Sequence, residues 1–125
     1  MLGERDLRQL DELLARSPLA LIAWDEGFHV SYWSSRAREL FGYEAEDVLG
    51  KTVEEFGFVA PADLDIVRHT QEHIAESGVA SVITVNQNIR ADSALRTCRW
   101  TTFAVQKDST YHVLSYAEDV TDAVV

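Results

Sequence analysis

The sequence holds one cysteine, one methionine, two prolines and two lysines in 125 residues. Its lone Cys98 has no partner for an internal disulfide or for a zinc knuckle, so no covalent or Cys-based metal framework holds the chain together. Cys98 reads as a small packed residue, with a redox-active thiol as the alternative. Lysine occurs only at Lys51 and Lys107, and the arginines are scattered among acids, so no basic stripe can be drawn. With 11 basic against 21 acidic residues, a formal charge of -10, neither a nucleic-acid backbone nor an anionic membrane is an expected partner. No apolar run approaches the roughly 20 residues that span a bilayer. The opening Met1-Leu2-Gly3-Glu4-Arg5-Asp6 is too charged for a secretory signal. The expectation is a soluble, cytoplasmic protein.

What is present is the composition of one globular domain, 46% hydrophobic and 10% aromatic. Leu7, Leu10, Leu13 and Leu14 recur at helical spacing, and Ser17-Pro18 stops the pattern, which predicts an amphipathic helix over 4–16. Leu19 to Trp24, the turn Asp25-Glu26-Gly27 and the alternating Phe28 to Trp33 predict a β-hairpin. Ser34 or Ser35 can cap the short helix that follows, and Gly42 closes it. Two brief helical pieces, about 44–49 and 53–56, are punctuated by Gly50 and Gly57, and broken helices of this kind often wall a cavity. Pro61 then opens the longest helix, through Ser77 to a stop at Gly78. Three strands fill the rest, about 79–90, 95–106 and 110–120, separated by Ala91-Asp92-Ser93 and Lys107-Asp108-Ser109, turns without the glycine that tight hairpins favour.

Five strands with such short connections predict an α+β fold, an antiparallel sheet with helices massed on one face. Both parities of the last three strands carry apolar residues, so the other face needs a partial cover as well. The leucine helix, or a second subunit, would supply it.

From about Leu10 to Thr121 the chain resembles the PAS sensory domain family. The resemblance rests on Ser17-Pro18, Asp25 to Gly27, Tyr32-Trp33, Ala37 to Tyr43 (ARELFGY), Val48-Leu49-Gly50-Lys51, Pro61-Ala62-Asp63-Leu64, Cys98-Arg99-Trp100 and the closing Asp119-Val120-Thr121, in order and at the family's spacing. The chain departs from the family at Ser34, where Asn is usual, and at Ser93 and Ser109, where Gly is usual. The resemblance implies a PAS fold: a five-stranded antiparallel sheet, a helical wall enclosing a ligand cavity, and an amphipathic N-terminal helix. It divides the chain into that helix (1–18), a sensor domain (19–121) and the start of a linker to an output domain (122–125). It also implies that Asp119 and Thr121 end the last strand and relay its movements onward, although a plain capping pair would look the same.

Helical and strand periodicity nominate a cavity lined from Phe41, Val53, Phe56, Leu64, Val67, Ile74, Ile83, Val85, Trp100, Leu114 and Tyr116, most of them equally at home in a solid core. Asn86 and Asn88 are unusual in a strand and are able to orient a ligand, but strand parity alone does not say which set faces inward. His69-Thr70-Gln71-Glu72-His73 has the H-x-x-E-H spacing of a zinc enzyme. Leu64, Val67, Gln71, Ile74 and Ala75 form the apolar stripe of that helix at about 100° per residue, which turns both histidines to solvent, so no metal site is expected. Haem-binding relatives place an axial His four residues beyond the position that Leu64 matches; here that residue is Arg68. The reactive Asn-Cys-Arg-Phe-Leu-Gln stretch of covalent flavin relatives is absent, which leaves non-covalent FAD packed by Trp33 or Trp100 as the flavin alternative. No cofactor is required.

The reading is a non-enzymatic, ligand-sensing and dimerising module of a bacterial signalling protein, a histidine kinase first, a diguanylate cyclase or transcription regulator second. A rival of another class is a small cone-shaped enzyme of the ketosteroid isomerase kind, which needs a carboxylate among apolar pocket residues. Leu7, Leu10 and Leu14 bury against the sheet or across a two-fold axis in a homodimer. Leu10→Glu is expected to convert a dimer to monomer in sedimentation; an unchanged oligomeric state removes this helix as the contact.

Overall fold

The computed structural model describes residues 3–77, 81–107 and 110–122. In chain order the elements are α1 (Glu4–Leu14), β1 (Leu19–Trp24), β2 (Val30–Trp33), α2 (Ser35–Phe41), α3 (Ala45–Val48), a 3-10 turn (Pro61–Asp63), α4 (Leu64–Ser77), β3 (Val82–Ile89), β4 (Leu95–Lys107) and β5 (Thr110–Asp119). The strands form one antiparallel sheet in the order β2-β1-β5-β4-β3. The expected five-stranded sheet with a helical face and an N-terminal helix is therefore what the chain forms. Among the described residues no helix is long and apolar enough to cross a membrane.

Local chemistry explains the element ends. Ser17 closes α1, its backbone N–H and its hydroxyl both donating to the Leu14 carbonyl at 2.9 and 2.7 Å. Buried Ser34 does two jobs: its Oγ accepts from Ala37 N at 3.1 Å, capping α2, and from Leu21 N at 2.9 Å, fastening that cap to β1. Gly42 ends α2 in the left-handed conformation at φ 81°, its N–H donating to Arg38 O.

The sheet's inner face carries Ala20, Ile22 and Trp24 of β1, Cys98 and Trp100 of β4, and Val113 and Ala117 of β5, packed against Phe41, Val48, Phe58 and Ile74. Phe58 is the hub: its ring centroid lies 4.7 Å from Phe41, 5.7 Å from Trp33 and 5.8 Å from Trp100, each edge to face. On the outer face a smaller cluster joins Leu7 of α1 to Ala23 and Leu114, flanked by Tyr32, Phe103 and Val105. Asp11 fastens α1 in place. One of its carboxylate oxygens accepts from Tyr32 Oη at 2.8 Å and Ser35 N at 3.1 Å, the other from Ser35 Oγ at 2.9 Å.

Three expected elements differ. Residues 53–56 form hydrogen-bonded turns, not a helix, because glycines at φ 80° and 62° (Gly50 and Gly57) bracket too short a run to propagate one. The second strand starts at Val30, not Phe28, because Phe28 takes a left-handed φ of 60°. The strand expected from Val79 begins at Val82; residues 78–80 and the turn residues Asp108 and Ser109 lie outside the described residues.

Ser93 adopts φ 72° in the β3–β4 turn, where the family's glycine carries no steric penalty. Ser93→Gly is expected to raise stability by about 0.5 kcal/mol in urea unfolding, the relieved strain exceeding glycine's added chain entropy.

Candidate ligand cavity

The β3–β4 register decides what the interior looks like. Thr84 pairs with Trp100 and Asn86 with Cys98, and paired residues share a face, so Thr84, Asn86 and Asn88 point inward while Ile83 and Val85 point out. The strand is inverted relative to a hydrophobic pattern: Asn86 and Asn88 are 4% and 1% exposed, Ile83 and Val85 66% and 53%.

These amides help line a cavity of about 50 Å³. Trp24, Val53, Phe58, Val59, Asn86, Asn88, Trp100, Thr102 and Ser115 form its buried part, and half-buried Phe28, Val67, Thr70, Gln71 and Thr84 complete it. Obligate donors and acceptors fix how the amides are turned. The Phe58 carbonyl only accepts, so it meets Asn88 Nδ2 at 3.3 Å. Asn88 Oδ1 is thereby left to accept from Trp100 Nε1 at 2.8 Å and from Asn86 Nδ2 at 3.2 Å. Across the cavity floor Ser115 Oγ accepts from Trp24 Nε1 at 3.0 Å and lies 2.8 Å from Thr102 Oγ1. No described lining residue is ionisable. A proton shuttle of the ketosteroid isomerase kind has no carboxylate to use in this cavity.

Phe28 reaches the cavity from a tight turn in which Asp25 Oδ1 accepts from Gly27 N and His29 N, both at 2.9 Å. The turn is what holds a bulky residue at positive φ, a strained backbone found where side-chain placement matters.

At the far end of β5, Arg96 Nε donates to Asp119 Oδ2 at 2.7 Å, and Asp119 Oδ1 accepts from Thr121 N at 2.9 Å and Thr121 Oγ1 at 2.5 Å. Thr121 Oγ1 in turn accepts from Thr97 N at 2.8 Å. Burial pushes the Asp119 carboxyl up, but the bonds from Arg96 and Thr121 and the Arg96 charge outweigh it, leaving its pKa below the ordinary 3.8. Nearby Cys98 is fully buried, and burial together with the Asp119 charge pushes its thiol up to about 12. It is a packed thiol, held protonated at neutral pH.

The sequence profile described as PAS fold matches residues 14–125. The chain belongs to the PAS fold family. Solved PAS domains have the same shape at low identity. One, from Colwellia psychrerythraea, superposes with a TM-score of 0.77 at 15% identity, over 93% of this chain and 98% of that one. The PAS domain of an HTR-like protein from Haloarcula marismortui gives 0.70 at 18%, over 93% of each. A PAS domain from a two-component sensor histidine kinase gives 0.70 at 9%, over 93% of this chain and 97% of that one. No curated protein sequence matches the chain.

Within this PAS fold, Val53, Val67, Asn86, Asn88 and Trp100 line the cavity. Phe41 and Ile74 are solid core, while half-buried Phe56 and Leu64 pack against it without lining the cavity. Four further candidates lie on the outer face of the sheet. Ile83 and Val85 lie on the outer face, turned there by the β3–β4 register. Leu114 joins the outer cluster beneath Leu7, and Tyr116, two residues on, shares that face and packs its ring on Phe103 at 6.1 Å. The inward β5 residues are instead Val113, Ser115 and Ala117, and Ser115 had no sequence signal beyond being the polar member of an apolar run. Phe28, Phe58, Thr102 and Asp11 likewise carry no sequence signal for the places they take. His69 and His73 are exposed, and the described residues contain no cluster able to hold a metal ion.

Because the folded Asp119 pKa is lowered, its contribution is complete above the unfolded value and is lost as pH falls through the folded one. Asp119→Asn is expected to lower stability by about 1 kcal/mol at pH 7. The gap to wild type should close below pH 3.8 in thermal melts, where the native carboxyl itself becomes protonated.

Proposed function

We propose that this PAS domain is a non-catalytic sensor that reads the occupancy of its partly open cavity for a signalling output of the histidine-kinase type. The observation that carries this reading is the inverted strand, which buries two amides beside a cavity while leaving isoleucine and valine in solvent. A domain that needed only a filled core would be more stable with the apolar set inside, since burying side chains of that size contributes about 1.5–3 kcal/mol each. A PAS domain of the same shape occurs in a two-component sensor histidine kinase, the output class proposed here.

In this mechanism a ligand shifts populations between two packings of α4 against the sheet. Val67, Thr70 and Gln71 of α4 and Ser115 of β5 line the same space, so an occupant touches both the mobile wall and the exit strand. Asp119 and Thr121, four and six residues beyond Ser115, hold the end of β5 and pass the shift onward. A homodimer belongs to the same reading. Leu7 is engaged with the sheet, which leaves half-buried Leu10 and Leu14, with Leu13 78% exposed, for a partner helix.

Native mass spectrometry of the purified protein, paired with its ultraviolet-visible spectrum before and after denaturation, is the test. The expected result is a released small molecule without haem or flavin absorbance. A protein of bare-chain mass that also takes up nothing from a small-molecule library overturns the sensor reading in favour of a dimerisation module.

A further inference from the structure

Resting on the sensor reading above, we infer that the cavity takes a small neutral molecule bearing an amide or urea-like group, and that it discriminates against both carboxylates and amines. Three observations carry this. First, the described lining residues include no ionisable group, so a buried ion of either sign would sit without a counter-charge, a placement that costs several kcal/mol or forces neutralisation.

Second, the hydrogen bonds leave a defined remainder. Asn88 Oδ1 is filled by two donors, whereas Asn86 keeps one N–H, and its Oδ1 meets only Thr84 Oγ1 at a long 3.4 Å. Asn86 thus keeps one N–H to donate and spare acceptor capacity on Oδ1, both of which an amide or urea-like group can meet. On the opposite wall Thr102 and Ser115 share a single O–H···O bond while Ser115 also accepts from Trp24, so one of their two O–H groups has no partner in the pair. That hydroxyl is a second donor for a carbonyl oxygen.

Third, about 50 Å³ at roughly 10–15 Å³ per water holds three to five waters, or a molecule with a similar number of non-hydrogen atoms. Phe28, Val53, Phe58 and Val67 give one stretch of the wall an apolar surface that suits a short alkyl tail, beside polar Thr70, Gln71 and Thr84.

The test compares propionamide, propionate and propylammonium, which match in size and differ in charge. Binding is read from the indole N–H resonances in ¹⁵N-labelled protein. Trp24 and Trp100 donate into the cavity network, while Trp33 donates to Tyr43 O and does not line the cavity, which makes it an internal control. Propionamide is expected to move the Trp24 and Trp100 resonances saturably and leave Trp33 in place, with both ions weaker by about tenfold or more. Asn86→Leu is expected to weaken propionamide by about tenfold; Ser115→Ala, a smaller change, gives the same reading if the first variant does not fold. If either ion binds at these tryptophans as tightly as propionamide, the ligand class is wrong and the sensor reading stands. If none of the three perturbs them at any soluble concentration, the class and the cavity reading fall together.

Discussion

Asn88 holds this domain's interior in register. Its amide bonds to the Phe58 carbonyl, the Trp100 indole and the Asn86 amide, tying β3 to β4 and both to the segment that carries Phe58. A buried amide with unmet groups costs more than its bonds return, so Asn88 and its three partners are held to one arrangement. That arrangement turns Ile83 and Val85 outward, centres the Phe58 ring among Phe41, Trp33 and Trp100, and leaves the space beside Asn86 unfilled. Cavity, aromatic hub and exposed apolar strand face follow from one network.

Such a network trades some hydrophobic stabilisation for a specific interior. The two tryptophans that flank the cavity both direct their indole N–H into it, one toward Asn88 and the other toward Ser115, so the aromatic walls are oriented by polar bonds rather than by packing alone. Through Ser115 the Trp24 ring is bonded directly to β5.

Much of the fold was legible because its punctuation is local. Ser17-Pro18, Ser34, Gly42 and Pro61 each act within a turn of their own position, and the element order follows from them. The PAS resemblance was carried by the same short stretches. What could not be read was which side of β3 and β5 faces in. Alternation is visible in the sequence, but the choice of face is set by partners far along the chain, Phe58 for β3 and Leu7 for β5, and on β3 the hydrophobic rule points the wrong way because the amides satisfy one another. Phe28 escaped for a different reason: its place in the cavity wall comes from a left-handed backbone that nothing in the residue itself favours.

The domain is fastened at its two margins by the same kind of bond. Asp11 clips α1 onto Tyr32 and Ser35, and Asp119 clips the end of β5 onto Arg96 and Thr121, while neither carboxylate takes part in the aromatic core. Each carboxylate acts beside other contacts, the packing of Leu7 on the sheet for α1 and the pairing with β4 for the end of β5. Loss of either carboxylate therefore removes hydrogen bonds at one margin only, and the ring cluster between them, which uses neither, keeps its own contacts.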